Sequence, residues 1–155
     1  MCLSVWQLPE IISWSEILAK NFQQLLGREL IANAKTPEQI AKALFQAPFV
    51  LVSHGTQTDP ILNYGNQTAL KLWSMEWNEF TKTPSRMTAE PVNRKIRAQM
   101  LEQAAEQGYI DDYQGIRISS TGQRFSIKKA IVWNLTDISG KKCGQAATFS
   151  NWEWM

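Results

Sequence analysis

The stretch from Arg124 to Leu135 constrains this chain more than any other. Phe125, Ile127, Ile131, Trp133 and Leu135 share one parity, interrupted only by Lys129. Alternation of period two describes a strand half buried against a core. Turn-forming segments bracket it: Ser120-Thr121-Gly122-Gln123 before, with Gly122 suited to a positive φ, and Asp137-Ile138-Ser139-Gly140 after. Further strands are therefore expected from Tyr109 to Ser119 and from Cys143 to Trp154. The last third of the chain reads as an antiparallel three-strand meander.

The residues ahead of the meander read mainly as helices. Ser13-Trp14-Ser15-Glu16 matches a capping box, and Leu18, Phe22, Leu25, Leu26 and Leu30 follow at helical spacing, predicting a helix over about 14 to 32 with Gly27 tolerated inside it. Thr36-Pro37-Glu38-Gln39 starts a second helix, closed before Pro48. Residues 49–54 and 61–64 read as a short strand pair. Asn66 caps a helix carrying Ala69, Leu70 and Trp73. Pro91 opens another, with Val92, Ile96, Met100 and Ala104 on one face and Gly108 after its end.

Composition excludes several function classes. Over 155 residues, 44% are hydrophobic and 19% charged, which suits one globular domain and neither a disordered nor a membrane chain. No apolar run approaches a spanning helix. The N-terminus lacks a basic n-region, so no signal peptide is expected. Cys2 and Cys143 match neither a disulfide framework nor a metal-ligand spacing, and reduced thiols in a cytoplasmic protein are expected. A net charge of +2, with basic pairs only at Lys128-Lys129 and Lys141-Lys142, predicts no nucleic-acid partner.

Two short strands, helices and then a meander follow the order of a PAS domain. The segment Ile61-Leu62-Asn63-Tyr64-Gly65-Asn66-Gln67-Thr68-Ala69 resembles the PAS strand that runs into an asparagine-capped helix. Leu62-Asn63-Tyr64-Gly65-Asn66, Leu72-Trp73, Pro84-Ser85-Arg86, and Val132-Trp133-Asn134-Leu135 through Gly144-Gln145-Ala146-Ala147-Thr148-Phe149 together resemble the MEKHLA domain, a PAS-like family. The likeness runs from about residue 9 to the end. That family occurs in plant homeodomain–leucine zipper transcription factors and as stand-alone bacterial proteins. No homeodomain or zipper pattern lies in these residues, so the DNA-binding role does not carry over. The resemblance implies an α+β fold: a PAS-like five-stranded antiparallel sheet with helices on one face, preceded by an N-terminal helical segment. One domain is expected over 1–155, with N-terminal helices over 1–47 and the PAS-like core over 48–155.

The resemblance transfers no catalytic residues, and the residues suggest none. His54, the only histidine, sits at a strand end rather than on the long helix where a haem ligand is expected. The Asn66-Gln67-Thr68-Ala69-Leu70 region has no cysteine where light-sensing PAS relatives carry their flavin-reactive one, which disfavours a flavin photoadduct. Asp111-Asp112 and Glu102/Glu106 read as solvated carboxylates. Ser85-Arg86 suits either an anion or the anchoring of its own loop. Seven tryptophans make the aromatics the main candidate, with Tyr64, Trp73, Trp77, Phe80, Tyr113, Phe125, Trp133 and Phe149 expected to gather between sheet and helices. If the fold is PAS-like, Asn63, Tyr64, Trp73, Trp77, Arg86, Ile116, Phe125, Ile127, Trp133 and Phe149 would surround a pocket for a small apolar or aromatic ligand. A filled core accounts for the same residues, and both readings stay open here. The expected function is a sensory or regulatory module that binds a small molecule or a protein partner, without catalysis of its own. The alternatives are a homodimerisation module using residues 9 to 46 and, behind it, a small α+β enzyme.

Overall fold

The computed structural model describes residues 4–89 and 91–155, without the side chains at 91–94, 96, 97, 101 and 104. Cys2 and the helix face expected from Val92, Ile96 and Ala104 lie outside the described residues. One antiparallel sheet organises the chain, in the order β2-β1-β5-β4-β3. Its strands are β1 (Val50–His54), β2 (Leu62–Gly65), β3 (Tyr109–Ile118), β4 (Arg124–Thr136) and β5 (Lys142–Phe149). A sixth short strand, β6 (Asn151–Trp154), pairs with the first part of β4. The strand expected as continuous from Cys143 to Trp154 is thus broken at Ser150.

That break has a counterpart in β4. Lys129 adopts φ 56°, a left-handed conformation that takes one residue out of the pleat. Before it, Phe125 and Ile127 point to one face; after it, Ala130 and Val132 continue that face. Ile131, Trp133 and Leu135 point to the opposite face. The single parity expected for Phe125, Ile127, Ile131, Trp133 and Leu135 is therefore two half-stripes on different faces. The partner strand turns over at the same level, since the ladder steps from Ile131↔Thr148 to Lys128↔Asn151 across Ser150.

The two faces carry separate cores. Helices α3 (Gln67–Trp73), α4 (Trp77–Phe80) and α5 (Pro91–Gln107) follow β2 and precede β3. On the first face Ala69, Leu72, Trp73 and Phe80 pack against Val50, Phe125, Ile127, Val132 and Phe149. The N-terminal segment, α1 (Pro9–Leu26) and α2 (Pro37–Phe45), covers the second face. There Leu18 and Phe22 meet Leu51, Trp133 and Leu135. Phe22 stands edge-on to Trp133 at 4.9 Å between ring centroids. Trp133 Nε1 donates to the carbonyl of Leu18 at 3.3 Å. Each such buried apolar side chain contributes about 1.5–3 kcal/mol. Polar contacts fix the angle of α1: Asn21 accepts from Thr136 N and donates to Thr136 O, and Trp14 Nε1 donates to Ser53 Oγ.

The ends of α1 differ from the expected 14 to 32. The helix starts at Pro9, whose missing N–H costs nothing in a first turn. Ser15 lies inside it and donates to Ile11 O rather than capping. Gly27 at φ 73° ends it, so this glycine is a C-cap rather than a tolerated interior residue. The second start signal holds: Thr36 and Gln39 form a reciprocal capping box ahead of α2.

Candidate functional site

A cavity of about 60 Å³ lies between the first face of the sheet and the helical layer. Its floor follows from residue size. Ala147 is paired with Val52 on one side and Val132 on the other. A methyl group between two valines leaves a depression in the centre of the sheet. Trp73, Phe80 and Met100 form the apolar roof and walls. Ser85 and Thr88, from the 3-10 turn Ser85–Thr88, close one side, and His54 and Gln145 reach the other. Gln145 donates to Asn134 Oδ1 at 2.9 Å.

Strand β3 supplies the charge. Tyr113, Gly115 and Arg117 face the cavity side, opposite Ala130, Ile127 and Phe125. Arg117 is only 8% exposed. Its Nη2 donates to Tyr113 Oη at 2.9 Å and its Nη1 to Ile116 O at 3.2 Å. The guanidinium carbon lies 5.3 Å from the Tyr113 ring centroid. Gly115 makes this meeting possible, because a Cβ there would stand 3.0 Å from Tyr113 Oη and 3.1 Å from Arg117 Nη1. Among the described residues no carboxylate pairs with Arg117; the ion pair found among them is Arg86–Asp59. Trp73 adds a second unusual group. It is 3% exposed, and its Nε1–H is buried without an acceptor.

The structure gathers only part of the residue set expected around a pocket. Trp73, Ile127 and Phe149 line the cavity. Phe125 backs it, 5.4 Å from Trp73 between ring centroids. Trp133 and Tyr64 belong to the opposite core, because Lys129 turns β4 over and a register shift at Ser53/His54 turns β2 over; Trp77, at the start of α4, packs there against Tyr64 at 5.8 Å between ring centroids. Asn63 is on that side too, accepting from Ser53 Oγ at 2.6 Å. Ile116 points away from the cavity while its neighbour Arg117 lines it. Arg86 is half exposed and bonds Asp59 through Nε, anchoring its own loop, while the adjacent Ser85 is buried in the cavity wall.

Arg117 is the residue that sequence reasoning missed as a site; Tyr113 and Phe80, from the expected aromatic set, line the cavity with it. Ile116 is expected at the pocket, and its neighbour Arg117 would then face the other way. A signal was present: Tyr113, Gly115 and Arg117 stand at steps of two and so share a face. The glycine between the two larger residues marks a close approach within the strand. Cys143, half-buried beside the second core, has its thiol pushed up by burial and then by Asp137 nearby, so it is not an activated nucleophile. No helix among the described residues is long and apolar enough to cross a membrane.

An antiparallel sheet with α3–α5 on one face and a cavity beneath them defines a PAS-like domain. Solved structures agree. The PAS domain of a Colwellia psychrerythraea protein superposes with a TM-score of 0.64 at 14% identity, over 76% of this chain and 95% of that one. A light-oxygen-voltage domain studied with a flavin analogue gives 0.59 at 17% identity, over 75% and 84%. An RNA-binding light-oxygen-voltage receptor gives 0.60 at 17%, over 77% of this chain and 34% of that one. The MEKHLA domain model matches residues 12–154, and the chain belongs to that family. It is similar to the homeobox-leucine zipper protein HOX29 of Oryza sativa subsp. indica and of subsp. japonica, 23% identical over 135 residues in each case. The match takes in 85% of this chain and 16% of the length of each relative.

Proposed function

We propose that this MEKHLA domain is a sensory module that holds a small molecule between its sheet and α3–α5. One observation carries the reading: a cavity in the core is walled by a buried cation and a buried N–H without an acceptor, rather than by apolar groups alone. Buried polar groups without partners cost free energy, and a bound molecule that satisfies them recovers it. A ligand that favours one arrangement of the helices over another shifts the population toward it, which is all that sensing requires.

A flavin is a poor fit to this cavity. An apolar cavity of about 150 Å³ accepts a single benzene ring, and the present one is about 60 Å³. No cysteine is among its described lining residues. Of the small apolar or aromatic ligands expected from the sequence, an aromatic one is too large for this cavity.

Filling the cavity tests the proposal. Ala147→Leu places a larger side chain on the cavity floor. Small molecules that raise the melting temperature of the wild-type protein should have no effect on this variant, with far-UV circular dichroism showing the fold intact. A library that stabilises neither protein, or both equally, would overturn the reading.

A further inference from the structure

We infer that the ligand is a short-chain carboxylate whose anionic end is neutralised by Arg117. The inference rests on the cavity reading above and adds the chemical class. Arg117 is buried, lines the cavity and meets no carboxylate among the described residues. A guanidinium does not deprotonate to escape burial, so its charge persists there. The groups it does touch are a phenol and a backbone carbonyl, both neutral. They satisfy two of its N–H groups and, among the described residues, leave the positive charge uncompensated. Buried charges are ordinarily paired. Here no described side chain supplies the opposite charge, and the adjoining cavity is where a mobile anion can.

The remaining walls choose among anions. Val52, Leu62, Phe80, Ile127, Val132 and Phe149 are apolar, and Ser53, His54, Ser85, Thr88 and Gln145 are polar but uncharged or singly ionisable. The apolar six suit a hydrocarbon tail, and with Arg117 as the one permanent cation among the described lining residues the site suits a monoanion better than a multiply charged ion such as phosphate. A monoanion with a short apolar body satisfies both ends. The cavity of about 60 Å³ limits that body to a few heavy atoms. A ligand of about four heavy atoms cannot bind tighter than tens of micromolar. The Trp73 Nε1–H provides an acceptor-seeking group in the same wall, suited to an oxygen on the ligand.

The experiment titrates the whole chain with acetate, propionate, propionamide and inorganic phosphate at constant pH and ionic strength. The indole N–H signals are followed by ¹H–¹⁵N NMR, with that of Trp73 assigned from Trp73→Phe. Acetate or propionate should move the Trp73 signal saturably, with micromolar to millimolar affinity. Arg117→Gln should weaken this at least tenfold, and Arg117→Lys, which keeps the charge, should weaken it less. If Arg117→Gln fails to fold, the comparison with Arg117→Lys and the amide still decides. Propionamide binding as well as propionate would overturn the carboxylate assignment and leave the small-molecule reading standing. Saturable binding of phosphate in place of the carboxylates would overturn the assignment as well. No response to any of the four, with none from a neutral small-molecule library, would overturn both.

Discussion

The side-chain amide of Asn66 reaches back to Leu44, donating from Nδ2 to its carbonyl oxygen at 3.0 Å. The same nitrogen donates to Phe49 O at 2.8 Å, and Oδ1 accepts from Leu51 N and Ala69 N at 3.2 and 3.1 Å. One fully buried residue thus ties α2 and β1 to the start of α3. Asn66→Ala removes the acceptor of two buried N–H groups and a donor from the carbonyls of Leu44 and Phe49, of which Leu44 O keeps a bond from Ala47 N. It should lower unfolding free energy by about 3–5 kcal/mol, from cap loss plus unsatisfied buried groups. Asn66→Asp keeps the cap but loses both donors and should be no better than Asn66→Ala. Urea unfolding measures both, and a loss under about 1 kcal/mol for Asn66→Ala would contradict the assignment.

A second dependence lies one residue earlier. A Cβ at position 65 would stand 2.6 Å from Phe80 Cε1. Phe80 is fully buried between Gly65 and the Trp73 ring, 6.0 Å away between centroids. Gly65→Ala should cost about 1–3 kcal/mol by overpacking. In a Phe80→Leu background the same substitution should cost markedly less, because the obstructing ring edge is gone. A double-mutant cycle reads this coupling directly, and strictly additive losses would show that the contact is not limiting.

The neighbourhood of these two positions is also the most legible part of the sequence. The Asn66 cap, the Thr36 box and the turn at Gly122 announce themselves through local hydrogen bonding that needs no tertiary partner. The element order, and with it the PAS-like fold, follows from such signals. The identity of each strand face does not. Lys129 occupies a left-handed conformation that nothing in Ile127-Lys128-Lys129-Ala130 requires locally. It is imposed by pairing with β3 and β5–β6 together. One such residue reassigns Trp133 from the cavity to the α1 core. Arg117 is hidden for a related reason: a charged residue inside a strand reads as outward unless its partners across the sheet are known.

Lys129 itself gives the third prediction. Its side chain is exposed, so substitutions report on backbone conformation alone. Lys129→Gly relieves the left-handed cost but loosens the unfolded chain, and should change stability by less than about 1 kcal/mol. Lys129→Val puts a β-branched residue at positive φ and should cost about 1–2 kcal/mol. The thermal midpoint of the valine variant should therefore fall below that of the glycine variant. Equal midpoints would mean that β4 does not turn over at this residue.

Tyr64 gives the last, and it concerns pH. Its hydroxyl is buried in the second core without a hydrogen-bond partner. Burial pushes its phenol well above the ordinary value of 10.0, since the charged phenolate would lose its hydration. The folded protein then holds this proton at pH values where the unfolded chain releases it. The stabilisation is complete below about pH 10, where both states are protonated. It is lost progressively as pH rises above the unfolded value toward the folded one, by up to about 1.4 kcal/mol per pH unit. Tyr64→Phe removes both the idle hydroxyl and the titration. At neutral pH it should be neutral or stabilising by about 1 kcal/mol. Between about pH 10 and 11.5 its stability should fall less steeply than that of the wild type, as measured by denaturant unfolding at each pH. Parallel pH profiles for the two proteins would place the Tyr64 hydroxyl in contact with water or an acceptor.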